Sequence, residues 1–196
     1  MKKIKFVLLI GILAVLWSAV SIMQAQEGDE MTADLPAAAP EMKDFEWFIG
    51  EWDVKSRMLM NAETDEWIEE DLHTVHTYEM GGHIIFEHFF GPLGGEPFEA
   101  WSIRKYNPAN QTWQQRWFDV SSPGVAEWQG SFNEAGEFIG FSKAYLDAEG
   151  NIKGDQATRE IFDNITPDSF SWRYEATADG GQTWEVQWTL EYTRRK

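Results

Sequence analysis

The chain has 196 residues, a length that fits one domain or at most two. It contains no cysteine, which excludes disulfides, cysteine-based zinc sites and thiolate catalysis. The net charge of −17 argues against binding to nucleic acids or to anionic membrane surfaces, because both select basic proteins.

Residues 1–25 have the pattern of a secretory signal peptide. Three lysines form a basic start, residues 6–20 are almost entirely apolar, and Ala25 is the small residue that a signal peptidase needs. The alternative is an uncleaved N-terminal anchor, but the apolar segment is short for a span of about 20 residues. We therefore expect an exported protein, periplasmic or secreted, with no stable membrane insertion after cleavage. Cleavage after residue 25 would remove the three lysines and leave a mature chain with a net charge of −20.

Residues 26–40 are first acidic and then rich in alanine and proline, without periodicity, which is typical of a disordered linker. The folded domain is therefore predicted at residues 41–196. It opens on the aromatic sequence FEWFIGEWDV, Phe45–Val54.

This opening sequence is predicted to close one end of the fold. Phe45, Trp47 and Phe48 are expected to form a short helical turn that plugs that end. Gly50 is expected to permit a sharp passage into the first strand, and Trp52 to pack near the base.

The rest of the chain alternates in polarity with a period of two, and turn residues interrupt it at short intervals. No segment has a long helical period with caps. The pattern predicts an all-β fold, an antiparallel up-and-down β-barrel of about ten strands, with an open sandwich as the alternative. The predicted strands are Glu51–Met60, Trp67–Met80, His83–Phe90, Phe98–Tyr106, Thr112–Val120, Val125–Phe132, Glu137–Leu146, Gln156–Phe162, Ser169–Ala176 and Gln182–Thr193.

Three motifs, in this order and spacing, resemble the DUF1579 family of lipocalin-like bacterial proteins of unassigned function. The likeness covers about residues 44–194 and implies a calycin-type up-and-down barrel without catalytic residues. The motifs are Ile49-Gly50-Glu51-Trp52, Met80-Gly81-Gly82 and Tyr106-Asn107-Pro108-Ala109-Asn110.

Two details qualify the resemblance. Gln111 stands where the family often has glycine, so a bulge there would place a glutamine in the left-handed conformation. Gly50-x-Trp52 is also similar to the GxW start of lipocalins and of haem-binding nitrobindins. Nitrobindins continue with two further glycines, and this chain has Val54 and Ser56 instead.

All four histidines lie in one predicted hairpin, joined by a paired-glycine turn. The predicted register places His73 and His88 as diagonal neighbours on one face, close enough to share a ligand, and His76 opposite Glu87 on the other. Together with His83 they raise a haem- or metal-binding barrel as one alternative function, although zinc requires three or four convergent ligands. The simpler interpretation is that these histidines face solvent or are hydrogen-bonded within the strands.

Two further functions remain open. An enzyme on a lipocalin scaffold would use His76, Glu87 or Tyr78 as acid or base, although no nucleophile accompanies them in sequence. A structural or protein-interaction role in the cell envelope conflicts with nothing in the sequence.

A second predicted hairpin carries two arginines. If Tyr106 pairs with Thr112, Arg104 and Arg116 share a face, where they could clamp a carboxylate inside an apolar cavity. Arg159 could face inward by the same logic. The alternative is that these arginines face solvent and pair with the acidic surface.

In the same register Trp101 and Trp117 would pair across the other face of this hairpin. The mature part holds ten tryptophans, which either fill the barrel or line a ligand cavity. We expect a monomeric barrel for a small apolar or amphipathic molecule, with no catalytic residue, no metal ligand and, haem aside, no cofactor. The candidate ligand-binding residues are Trp101, Arg104, Arg116, Trp117, His73, His88 and Trp188.

Overall fold

The computed structural model describes residues 36–196. The predicted signal peptide, residues 1–25, and residues 26–35 of the predicted linker lie outside the described residues. Within the described part, no helix is long and apolar enough to cross a membrane.

Ten antiparallel strands form a closed up-and-down barrel, in which every strand pairs with its sequence neighbours and the first pairs with the last. Closure leaves no strand edge unpaired. The predicted all-β barrel is confirmed. The strands are β1 (Gly50–Asn61), β2 (Glu66–Glu79), β3 (Ile84–Leu93), β4 (Glu96–Asn107), β5 (Thr112–Asp119), β6 (Ala126–Phe132), β7 (Phe138–Ser142), β8 (Ala157–Asp163), β9 (Ser169–Thr177) and β10 (Glu185–Arg194).

A 3-10 helix, Pro40–Phe48, closes one end of the barrel, as the sequence predicts for a short helical turn. We call this helix the plug. Phe45 and Phe48 are both fully buried in it. The ring of Phe45 contacts Trp113 and Phe138, with centroid distances of 4.6 and 5.1 Å. The half of the barrel next to the plug is therefore filled with side chains.

Trp52 joins the plug to β1. Its indole N–H donates to the Phe48 carbonyl at 2.9 Å, and the Arg194 guanidinium lies over its ring at 4.1 Å. Arg194 in turn donates to the carbonyls of Trp47 and Ile49, both at 2.8 Å. At Gly50 an added Cβ would run into the same guanidinium, and the backbone has a φ of +132°, so the passage into β1 requires glycine.

The connection between β3 and β4 is tighter than predicted. The predicted strands end at Phe90 and begin again at Phe98, but the observed strands continue to Leu93 and start at Glu96, so that only Gly94 and Gly95 turn. The Glu70 carboxylate accepts both glycine N–H groups, at 2.7 and 2.8 Å, and fixes this turn from the neighbouring strand.

β7 is shorter than its predicted range of Glu137–Leu146. It ends at Ser142, because the chain turns through a 3-10 turn at Lys143–Tyr145. Leu146 then bridges to Ile152 inside the same loop and is buried there.

The histidine-bearing hairpin of β2 and β3 has the predicted register. His73 lies opposite Phe90, and His76 lies opposite Glu87. The turn is longer than two residues, since Met80–Gly82 forms a 3-10 turn between strands that end at Glu79 and begin at Ile84.

The register predicted for the hairpin of β4 and β5 is wrong by one residue. Asn107, not Tyr106, lies opposite Thr112, because the chain turns over four residues instead of five. Gln111 takes the left-handed conformation that closes this turn, with a φ of +55°. A shift of one residue moves every side chain of one strand to the other face relative to its partner.

Candidate ligand-binding cavity

The half of the barrel away from the plug encloses a cavity of about 290 Å³. Its wall is mainly aromatic and three charged side chains line its inner end, which we call the floor. The lining residues are Glu87, Phe89, Arg104, Gln115, Trp117, Ala126, Trp128, Glu160, Phe162, Trp172, Tyr174, Trp188, Leu190 and Tyr192.

The plug and the open end of the barrel bound this cavity. Phe162 lines the floor and also contacts the plug residue Phe48, with ring centroids 5.6 Å apart. Ala126, the first residue of β6, lines the cavity at the end of the barrel away from the plug. A molecule therefore reaches the floor from the open end.

Hydrogen bonds hold two of the wall tryptophans in place. The Trp188 indole N–H donates to Ser56 Oγ at 2.8 Å, and that of Trp172 donates to Glu160 Oε2 at 3.1 Å. The two rings lie perpendicular to each other, with centroids 5.2 Å apart. Because protein groups fix these side chains, the wall is preformed.

Arg104 and Glu160 form an ion pair in the floor. Arg104 Nη1 donates to Glu160 Oε1 at 3.1 Å, and the two side chains are each 4% exposed. The guanidinium also lies 4.8 Å from the centroid of the Phe162 ring. A pair this deeply buried has lost its hydration, so removing either partner would leave a costly unpaired charge.

Glu87 is the third charged residue of the floor. It accepts a hydrogen bond from Ser102 Oγ at 2.5 Å and lies 3.3 Å from His76 Nε2. Burial raises the pKa of Glu87. His76, through its hydrogen bond and its charge, lowers it, as do the charge of Arg104 and the hydrogen bond from Ser102. The lowering is larger, so the pKa of Glu87 lies below its ordinary value. Glu87 is therefore ionised at neutral pH.

His76 lies behind Glu87, sealed from the cavity and from solvent. Its Nδ1–H donates to the Phe48 carbonyl at 2.7 Å, and its ring stacks on Phe48 at 3.6 Å. Thr74 Oγ1 lies 2.9 Å from Nε2. His76 thus connects the cavity floor to the plug.

The two tyrosines that line the cavity are neutral. Burial, followed by the negative charge of Glu87, raises the pKa of Tyr192 well above its ordinary value. Burial likewise raises the pKa of Tyr174. The charges of the lining side chains are therefore those of Glu87, Glu160 and Arg104, which sum to −1.

Two buried polar atoms of the floor have no hydrogen-bond partner: Arg104 Nε and Gln115 Oε1. Arg104 is 3% exposed and Gln115 is 6% exposed. The two residues lie directly opposite each other on β4 and β5, and both line the cavity.

The structure separates the predicted ligand-binding residues into two groups. Arg104, Trp117 and Trp188 line the cavity. The other four do not line it and belong to the outer face: Trp101, Arg116, His73 and His88.

The outer group makes surface contacts. The ring of His88 stacks on Trp101 at 3.9 Å, and Arg116 Nε lies 2.9 Å from Glu127 Oε1. His73 Nδ1 lies 2.9 Å from Asp53 Oδ1. The predictions that Arg104 and Arg116 share a face, and that Trp101 pairs with Trp117 on the other, are wrong because of the one-residue register shift.

Arg159 also lies on the outer face, contrary to the inward position considered from the sequence. Its Nε donates to Glu175 Oε2 at 2.6 Å, and its guanidinium lies over the Trp184 ring at 4.1 Å. It is opposite Glu175 in the register of β8 and β9.

The four histidines do not converge. His73 and His88 are outside, His76 is sealed behind Glu87, and His83 belongs to the turn at the plug end. Residues 36–196 contain no group of three or more side chains placed to hold a metal ion. Of the acid–base candidates only Glu87 lines the cavity, because the Tyr78 hydroxyl donates to the Met42 carbonyl at 2.9 Å.

Sequence reasoning missed several lining residues. Trp172 and Tyr174 alternate along β9 in the same way that Trp188 and Leu190 alternate along β10, so the period of two was a usable signal for them. Glu160 gave no such signal. Its partner Arg104 is 56 residues away, and only the closed barrel brings the two together.

Comparisons with known proteins agree with the fold. The family model described as "Protein of unknown function (DUF1579)" matches residues 38–194. No curated protein matches the chain in sequence. The structure is similar to that of the S-type phycobiliprotein lyase CPES from Guillardia theta, with a TM-score of 0.50 and 14% identity over 78% of this chain and 90% of that one. At this identity the likeness establishes a shared barrel fold.

Proposed function

The chain belongs to the DUF1579 family, proteins of unknown function, and from its cavity we propose that it is an exported barrel that binds a small apolar or amphipathic molecule. One observation carries the proposal. The open half of the barrel holds a preformed cavity of about 290 Å³ with an aromatic wall and a polar floor.

The size of the cavity limits the ligand. A dry cavity of about 150 Å³ in another protein binds benzene. At about 290 Å³, this cavity has room for a body of roughly two fused rings. Larger ligands would extend through the open end into solvent.

The composition of the cavity suits an amphipathic ligand. Small-molecule sites are mostly apolar and carry a few convergent polar groups that orient the ligand. Here the aromatic wall would cover an apolar body. Arg104, Gln115 and Glu87 would meet its polar end at the floor.

Export is part of the proposal and rests on residues 1–25, with their basic start, apolar core and Ala25. Expression of the full chain with a C-terminal tag, followed by N-terminal sequencing of the envelope or secreted fraction, tests it. We expect a mature protein that begins at Gln26. Recovery of a protein that still begins at Met1 would contradict export by cleavage.

Ligand binding is tested with N-phenyl-1-naphthylamine, a neutral probe whose fluorescence rises in apolar surroundings. We expect saturable binding to the wild-type protein and about tenfold weaker binding to Trp117→Ala, which removes part of the wall. Trp101→Ala is the matched control, because Trp101 lies one strand away on the outer face. Equal affinity of the wild type and Trp117→Ala, or no binding at all, would contradict the proposal.

A further inference from the structure

Six aromatic rings form a continuous row around the cavity. Each ring contacts the next, with centroids 5.2 to 6.4 Å apart. All six line the cavity, and the two ends of the row lie on the neighbouring strands β5 and β6. We call these rings the collar, which consists, in order of contact, of Trp117, Phe89, Trp188, Trp172, Tyr174 and Trp128.

The polar edges of the collar are turned to protein groups. Besides the indole N–H groups of Trp172 and Trp188, that of Trp117 is also occupied, since it donates to Asp119 Oδ2 at 3.1 Å. Three of the four collar tryptophans therefore have no N–H left for a ligand. An anion, which needs hydrogen-bond donors, gains little from such a wall. The π-systems remain, and several aromatic rings together form the kind of cage that binds organic cations.

The floor beneath the collar carries no net positive charge. Among the described residues that line the cavity, Arg104 is the one base, and its guanidinium is paired with Glu160. Glu87 adds a second carboxylate. Even a protonated His76 behind Glu87 would bring the floor only to neutrality. A ligand carboxylate would have to displace Glu160 from Arg104, so the protein itself occupies the carboxylate clamp considered from the sequence.

The loops around the open end are acidic. The strands are joined at this end by residues 62–65, 94–95, 120–125, 143–156 and 178–184. These five loops carry six acidic and two basic side chains, a net charge of −4. A mouth of one sign of charge concentrates ligands of the opposite sign and repels those of its own. The entrance therefore favours cations, as the collar does.

We propose that the cavity binds an organic cation, an ammonium or similar charged group that carries apolar substituents. The cationic group lies among the collar rings, in the field of the floor carboxylates, and needs no hydrogen bond to them. The apolar substituents fill the rest of the aromatic wall. This inference rests on the proposed function and names the chemical class of its ligand.

Three probes of the same shape and different charge test the inference. Phenyltrimethylammonium, tert-butylbenzene and benzenesulfonate each carry one tetrahedral group on a phenyl ring, with charges of +1, 0 and −1. Displacement of N-phenyl-1-naphthylamine from the full mature chain, followed by fluorescence, gives their affinities. We expect phenyltrimethylammonium to bind at least tenfold more tightly than either of the others, because contacts of a desolvated cation with two or more rings are worth about that factor.

The variant Trp128→Leu removes one ring of the collar and keeps its position apolar. We expect the ratio of the affinities for phenyltrimethylammonium and tert-butylbenzene to fall about threefold, since a merely structural loss would weaken both probes alike. Trp101→Leu, on the outer face, is the matched control and should leave the ratio unchanged. Circular dichroism checks the fold of both variants, and the comparison of the three probes on the wild type decides the inference if Trp128→Leu does not fold.

The outcomes separate the two proposals. If N-phenyl-1-naphthylamine binds but phenyltrimethylammonium has no advantage over tert-butylbenzene, the organic-cation inference is wrong and the ligand-binding function stands. Tightest binding of benzenesulfonate, or the same affinity ratio in a folded Trp128→Leu as in the wild type, also overturns the inference. If N-phenyl-1-naphthylamine does not bind, the proposed function is wrong and the inference falls with it.

Discussion

Replacing Trp52 with alanine tests how the plug is attached to the barrel. Trp52 is fully buried, packs edge-to-face on Phe170 at 4.8 Å and lies under Arg194. Truncation of a buried tryptophan to alanine costs about 3–5 kcal/mol. Loss of the contact with Arg194 adds about 0.5–1 kcal/mol.

The lost hydrogen bond adds little to this cost. The Phe48 carbonyl that accepts the Trp52 N–H also accepts from His76 Nδ1 at 2.7 Å, so it keeps a partner in the variant. The expected loss is therefore about 3.5–6 kcal/mol, a large part of the roughly 5–15 kcal/mol by which domains are stable. With an m-value of about 2 kcal/mol per molar urea, the unfolding midpoint should fall by about 2–3 M.

Urea unfolding followed by far-UV circular dichroism measures this loss. Trp101→Ala is the control, because Trp101 is 36% exposed on the outer face, and its midpoint should fall by no more than about 0.5 M. If the two variants lost the same stability, or if Trp52→Ala were as stable as the wild type, the placement of Trp52 as the link between plug and barrel would be wrong.

Two further predictions concern the floor and the sheet. Because the pKa of Glu87 is lowered in the folded state, Glu87 stabilises the protein above its ordinary pKa of about 4.5, and this contribution is lost as the pH falls through the folded-state value. The urea midpoint of Glu87→Gln should therefore fall less steeply between pH 5 and 3 than that of the wild type, and parallel curves would count against the ionised floor. In Gly130→Ala the new Cβ would lie 2.6 Å from the Gly140 Cα, so we expect a loss of about 1–3 kcal/mol in thermal or urea unfolding. In Gly124→Ala the nearest atom is 3.9 Å away and the change should be close to zero, so equal behaviour of the two variants would contradict the close approach of β6 and β7.

The strands and the closed barrel were predictable from the sequence because their signals are local. Alternating polarity, paired glycines and turn residues indicate how many strands there are and roughly where each one lies. The register of the hairpin of β2 and β3, which carries the histidines, followed from its glycines, and His76 does lie opposite Glu87.

Which face of each strand lies inside was not predictable, because both faces mix polar and aromatic residues. Trp101 and Phe86 lie in contact on the outside, with ring centroids 4.8 Å apart, while Glu87 and Arg104 are buried inside. The usual assignment of apolar residues to the interior therefore fails for these strands.

The turn between β4 and β5 determines which of the two arginines lies at the cavity. Gln111 adopts a left-handed φ, which shortens the turn to four residues and pairs Asn107 with Thr112. With that register, Arg104 joins Trp117 at the cavity and Arg116 faces solvent. The glutamine itself does not signal this conformation; only the glycine that the resembling family often has at this position indicates it.

The central claim is that the cavity between the plug and the open end is the ligand site, and one measurement tests it most directly. An NMR titration of the isotope-labelled mature protein with N-phenyl-1-naphthylamine follows the indole N–H signals of individual tryptophans. We expect the signals of Trp117, Trp128, Trp172 and Trp188 to shift and that of Trp101 to remain in place. A shift confined to Trp101, or saturable binding that moves none of the four cavity signals, would contradict the account.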